Sequence, residues 1–77
     1  MFKYSVQLFW SEEDDAYVAT IEELPGLSAF GDTPEEAARE ARIAAEGFLK
    51  VMKEDGEIIP QPHTRSRSYH SERGVNL

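Results

Sequence analysis

The first residues of the chain alternate between apolar and polar. Phe2, Tyr4, Val6, Leu8 and Trp10 fall on one side, and Lys3, Ser5, Gln7 and Phe9 on the other. Side chains in a strand change face at every residue, so residues 2–10 read as a strand with one face in a core. The polar run Ser11-Glu12-Glu13-Asp14-Asp15 breaks the alternation. Asp and Ser favour turns because their side chains hydrogen-bond nearby backbone. Ala16 to Ile21 resumes an extended pattern with Tyr17, Ala19 and Ile21 on one face, which predicts an antiparallel hairpin. Glu22-Glu23-Leu24-Pro25-Gly26 ends the second strand in a tight turn, because proline fixes φ and the glycine tolerates positive φ. Leu27 to Phe30 then makes a short third strand, and Gly31 turns the chain toward a helix.

The helix start is the sharpest local signal. Thr33-Pro34-Glu35-Glu36 combines a capping Thr, a Pro at the first helical position and a Glu that reaches back to the Thr N–H. Ala37, Ala38, Ala41, Ala44, Ala45, Phe48, Leu49 and Met52 follow at helical spacing, with the large residues filling the space toward the far end. Glu35/Arg39 and Glu46/Lys50 form favourable pairs on the outer face. Lys53 and Gly56 mark the stop, so the helix runs from about Pro34 to Glu54, roughly 30 Å. Gly47 inside it implies either close backbone approach or a tolerated defect. Glu57-Ile58-Ile59-Pro60-Gln61-Pro62 is extended and punctuated by proline. The expected fold is therefore α+β: an antiparallel three- to four-stranded sheet with one helix packed on it.

Length bounds this to one domain, residues 1–62, with a polar tail over 63–77 that is disordered or ordered by a partner. Charge is uneven: 14 acidic and 5 basic side chains through Glu57, then three Arg and one Glu. An acidic body repels phosphate backbones and attracts basic proteins. Sequence-specific DNA binding is not expected, and the tail arginines Arg65, Arg67 and Arg73 support only weak, salt-sensitive contact. There is no cysteine, no signal-peptide pattern and no apolar run of membrane-spanning length, which points to a soluble cytoplasmic protein.

The succession Tyr17-Val18-Ala19, Glu23-Leu24-Pro25-Gly26, Gly31-Asp32-Thr33-Pro34-Glu35-Glu36-Ala37 and Gly56-Glu57-Ile58-Ile59-Pro60-Gln61-Pro62 resembles the HicB-like antitoxin family. Order and spacing across Tyr4 to Pro62 carry the resemblance, with Pro25, Gly26, Gly31, Asp32, Thr33, Pro34, Glu36, Gly56 and Pro60 as its structural positions. It implies a β-β-β-α-β fold likened to a truncated ribonuclease H. It also implies the antitoxin role in a type II toxin-antitoxin system, against a HicA-like toxin that cleaves mRNA. Many members append a DNA-binding domain, but the residues after Pro62 are too few for a helix-turn-helix.

Catalysis is not expected. Metal-dependent nucleases need carboxylates converging from strand ends, whereas Glu12, Glu13, Asp14 and Asp15 are neighbours on one turn and residues 2–10 hold no acid. His63 and His70 have no cysteine or spaced acid beside them, and Ser11, Ser28 and Thr33 have no histidine close in sequence. No cofactor or metal is anticipated. The partner-binding candidates are Glu12, Glu13, Asp14 and Asp15, and the second group Glu22, Glu23, Leu24 and Pro25, which would cover the toxin's basic surface. The alternative readings are a solitary regulatory or structural HicB-like oligomer and a degenerate nuclease or RNA binder. Since one helix covers one sheet face, Phe9 and Phe30 are candidates for the less covered side, and a homo-oligomer, most simply a dimer, is expected.

Overall fold

A computed structural model of the chain describes residues 2–64. Its elements are β1 (Val6–Ser11), β2 (Ala16–Ile21), β3 (Ser28–Gly31) and α1 (Pro34–Glu54). They form a three-stranded antiparallel sheet in the order β1-β2-β3, with the helix on one face. Val6 pairs with Ile21, Leu8 with Ala19, and Trp10 with Tyr17; Val18 pairs onward with Phe30, and Ala19 with Ala29. Alternation therefore sends Ala19, Ile21 and Ala29 toward the helix. They meet Ala37, Ala41 and Ala45, and Leu24 closes the core. A stripe of alanines lets the helix lie close to the sheet, so a small chain builds its core from short side chains.

Several expectations are corrected. The first strand begins at Val6; Phe2 and Tyr4 precede it, packing partly buried on the core with ring centroids 5.7 Å apart. Leu8 and Trp10 lie on the helix side as their parity requires. Yet they remain 45% and 44% exposed, because the helix packs mainly over β2 and β3. Phe48 is likewise exposed, and Leu49 is the large helical residue that joins the core. Glu46 pairs with Arg42, at 3.6 Å, in place of Lys50. Among the described residues no fourth strand forms: Glu57 to Thr64 is irregular. Pro60 and Pro62 lack the N–H groups that a ladder needs. Of the tail, Arg65 to Leu77 lies outside the described residues, and His63 is tied to the body by a hydrogen bond given below.

The turns and caps explain the local geometry. Leu27 N–H donates to the Leu24 carbonyl at 3.1 Å across Pro25-Gly26, with Gly26 at φ +92°, as a type II turn requires. Thr33 Oγ1 accepts from Glu36 N–H at 3.0 Å, while the Glu36 carboxylate accepts from the N–H of Asp32, one residue earlier than the reciprocal box anticipates. At the other end, Gly56 N–H reaches the Lys53 carbonyl and Glu57 N–H the Met52 carbonyl. That is the Schellman pattern, with Gly56 at φ +76°.

Gly47 meets nothing: a Cβ built there has no heavy atom within 4 Å. It is a tolerated defect of the helix, so Gly47→Ala should raise stability by about 0.5–1 kcal/mol. A higher urea midpoint at unchanged slope is the expected readout.

Candidate protein-binding surface

The hairpin turn is a solvated acidic tip. Glu12, Glu13, Asp14 and Asp15 are all exposed, and among the described residues no cation pairs with them. Asp15 takes the left-handed position at φ +51°, which Asp tolerates better than most residues. The Ser11 hydroxyl donates to Asp14 at 2.7 Å and accepts from Asp14 N–H at 3.2 Å, so the turn is ordered by its own side chains. Trp10 Nε1 donates to the Glu12 carboxylate at 3.1 Å, and the Trp10 ring stands edge-on to Tyr17 at 5.1 Å. Carboxylates and aromatic surface thus adjoin at this end of the sheet.

The second acidic group divides. Glu22 and Pro25 are exposed, but Glu23 and Leu24 are inside the protein. The Glu23 carboxylate accepts from Ser5 N–H at 2.9 Å, from the Ser5 hydroxyl at 3.1 Å and from His63 N–H at 2.7 Å. Burial pushes this carboxyl up, and the N–H groups of His63, Ser5 and Glu23 itself, with the Ser5 hydroxyl, bring it down from 4.5 to about 2. Glu23 therefore holds the N-terminal segment and the segment after the helix against one turn. The two groups lie at opposite ends of the hairpin, and of these two the Glu12–Asp15 tip is the fully open carboxylate cluster. Parity gave one signal for the burial of Glu23, since it continues the inward side of Ile21. Its donors, distant in sequence, gave none.

The sheet face opposite the helix is the other open surface. Phe9, Val18 and Phe30 are paired in register and form one apolar row across all three strands, about 10 Å wide. Phe9 is 51% and Phe30 49% exposed, whereas Val18 between them is 5% exposed. Gln7, Thr20 and Ser28 form the next row, so the strands place no charge on this face. The row lies two residues from the base of the acidic tip. Neither Phe9 nor Phe30 was among the partner-binding candidates, although the position of Phe9, out of phase with its apolar neighbours, was the available signal.

A cleft of about 300 Å³ lies on the helix side, lined by residues that include Phe2, Tyr4, Arg42, Leu49 and Pro62. Arg42 stands 5.8 Å above the Phe2 ring and pairs with Glu46, so its cation is already engaged. Among the described residues, no group of three or more His, Asp or Glu side chains is placed to hold a metal ion. Nor is any helix among them long and apolar enough to cross a membrane.

Residues 4–73 match the family described as HicB-like antitoxin of bacterial toxin-antitoxin systems. The chain belongs to the HicB-like antitoxin family. A relative from Thermoplasma acidophilum, the UPF0150 protein Ta0767, is 29% identical over 69 residues, covering 90% of this chain and 99% of that protein. No solved structure is a significant match. Membership of an antitoxin family implies a toxin as partner and suggests a protein that works by binding rather than by catalysis.

Proposed function

We propose that this HicB-like chain neutralises a HicA-like, mRNA-cleaving toxin by laying the Phe9–Val18–Phe30 row and the adjoining acidic tip over the toxin's RNA-binding surface. The observation that carries this reading is the juxtaposition itself. An uncharged aromatic patch next to unpaired carboxylates matches what a basic partner offers: cations for phosphate at the rim and apolar surface at the centre. Interface energy concentrates in central aromatic residues, whereas rim charges mainly govern association rate and salt dependence. The second group contributes at most Glu22 and Pro25, because the Glu23 carboxylate is committed to the fold and Leu24 is buried.

Two variants separate the contributions. Neutralising the tip with isosteres (Glu12→Gln, Glu13→Gln, Asp14→Asn, Asp15→Asn) retains the turn and removes its charge. This variant should associate more slowly with the toxin and show a shallower salt dependence. Phe9→Ala should weaken binding roughly 10- to 100-fold through faster dissociation, the range of about 1–3 kcal/mol for a central aromatic. Binding kinetics at low and moderate salt, with circular dichroism as the folding check, read both. Parental affinity and salt dependence in both variants would reject this surface.

A further inference from the structure

The helix stop carries a second chemistry. Asp55 caps α1, and Gly56 follows it at φ +76°, a backbone region that L side chains rarely adopt. The Schellman turn therefore calls for glycine at this place, and the outcome is an Asp-Gly step. It is the one such step in the chain. Asp14, Asp15 and Asp32 precede Asp15, Ala16 and Thr33, and the single asparagine, Asn76, precedes Leu77.

A glycine nitrogen is the least hindered nucleophile that a backbone offers, because no Cβ crowds it. Beside an aspartyl side chain it can attack Cγ. The new N–Cγ bond closes a five-membered succinimide ring. The Gly56 amide proton and the carboxyl OH depart together as water. Water then reopens the ring at either carbonyl. Attack at Cγ restores aspartate. Attack at the Asp55 backbone carbonyl carbon leaves isoaspartate, in which the chain runs through the side chain and is one backbone atom longer. One water is lost and one regained, so the mass is unchanged and no oxidant or reductant takes part.

The geometry of the cap opposes this reaction. Gly56 N–H donates to the Lys53 carbonyl at 3.1 Å, so the attacking nitrogen is engaged, and Asp55 N–H donates to the Val51 carbonyl at 2.9 Å. Asp55 lies at φ −83° and ψ −1°, values that carry the next amide along the helix and away from the Asp55 side chain. Ring closure requires ψ to turn far from them. Packing adds little to this restraint: both residues are exposed, and a Cβ built on Gly56 meets no heavy atom within 4 Å among the described residues. Terminal turns of helices fray at small cost in free energy.

We infer that Asp55–Gly56 is the site at which this protein converts spontaneously to isoaspartate, and that the helix cap sets the rate by withholding the Gly56 nitrogen. The consequence reaches past the turn. The extra backbone atom takes the Gly56–Lys53 and Glu57–Met52 hydrogen bonds out of register. It also lengthens the link to the segment that the Tyr4 hydroxyl holds at Pro60 and the Glu23 carboxylate holds at His63. The reaction is internal to one dipeptide and needs no partner.

Ageing the full chain at neutral pH in heavy-oxygen water, folded in buffer and unfolded in urea, tests this. Peptide mapping locates both isoaspartate and the incorporated label. Both should accumulate at Asp55 ahead of Asp14, Asp15 and Asp32, and several-fold faster in urea than in buffer. Asp55→Asn, which expels ammonia in place of water, should convert faster and keep the same order between urea and buffer. The isoaspartyl form, separated by ion exchange, should unfold at a lower urea concentration than the parent. Conversion at Asp55 no faster than at the other aspartates would overturn the site, and equal rates in buffer and urea would overturn the guarding role of the cap.

Discussion

Replacing Glu23 by alanine is expected to lower folding stability by about 3–4 kcal/mol, a large share of what a domain of this size holds. The carboxylate is buried and accepts from Ser5 N–H, the Ser5 hydroxyl and His63 N–H. Its removal strands these part-buried donors, each costing about 1–3 kcal/mol where the site stays dry and less where water reaches it, as at the exposed His63. Glu23→Gln keeps one acceptor oxygen but aims amide hydrogens at N–H donors, so it should lose about 2 kcal/mol. The pH dependence carries a distinct signature. The folded carboxyl lies at about 2 against 4.5 as its ordinary value, so it is depressed in the native state. Its stabilisation is therefore complete above about pH 5 and fades as pH falls toward 2, amounting to about 3 kcal/mol. Urea unfolding of the parent and Glu23→Gln from pH 6 to pH 2.5 isolates this share, since the other carboxylates cancel in the difference. Parallel stability curves would contradict the role given to Glu23.

Much of the fold was legible in local chemistry. The hairpin, the Pro25-Gly26 turn, the Thr33-Pro34 cap and the Gly56 stop all follow from short-range rules, and the helix bounds agree at both ends. What escaped depends on long-range placement. Alternation put Leu8 and Trp10 on the helix side correctly, but the helix axis runs over β2 and β3, and only the packed structure shows that. Glu22 and Glu23 look alike in sequence; one is in solvent and the other is enclosed by Ser5 and His63, eighteen and forty residues away. The apolar row was half visible, since Phe9 and Phe30 stood out as uncovered, but Val18 joins them only through the register.

Gly31→Ala is expected to cost about 2–3 kcal/mol, the upper part of the range for forcing atoms into a packed site. A Cβ at this position would stand 2.5 Å from Ala37 N and 2.9 Å from the Glu36 carbonyl carbon, both backbone atoms of the first helical turn. Backbone cannot swing aside as a flexible side chain does, so β3 and α1 must separate. That movement would disturb the seating of Ala37, which is fully buried, and the cap formed by Asp32, Thr33 and Glu36. Gly31→Val should be worse, because its branched side chain adds bulk at the same contact. Gly26→Ala makes the contrasting control: its Cβ meets nothing within 4 Å, and its cost would come only from φ +92°. Denaturant midpoints of the three variants test the assignment. A Gly31→Ala protein as stable as the parent would show that the strand–helix approach is looser than described.

The most direct test of the antitoxin reading is RNA cleavage by a HicA-like toxin from the same genome, titrated with this chain at physiological salt. Cleavage is expected to stop near stoichiometric amounts of the chain, and Phe9→Ala should require a higher concentration for the same protection. Undiminished cleavage in the presence of excess folded chain would contradict it.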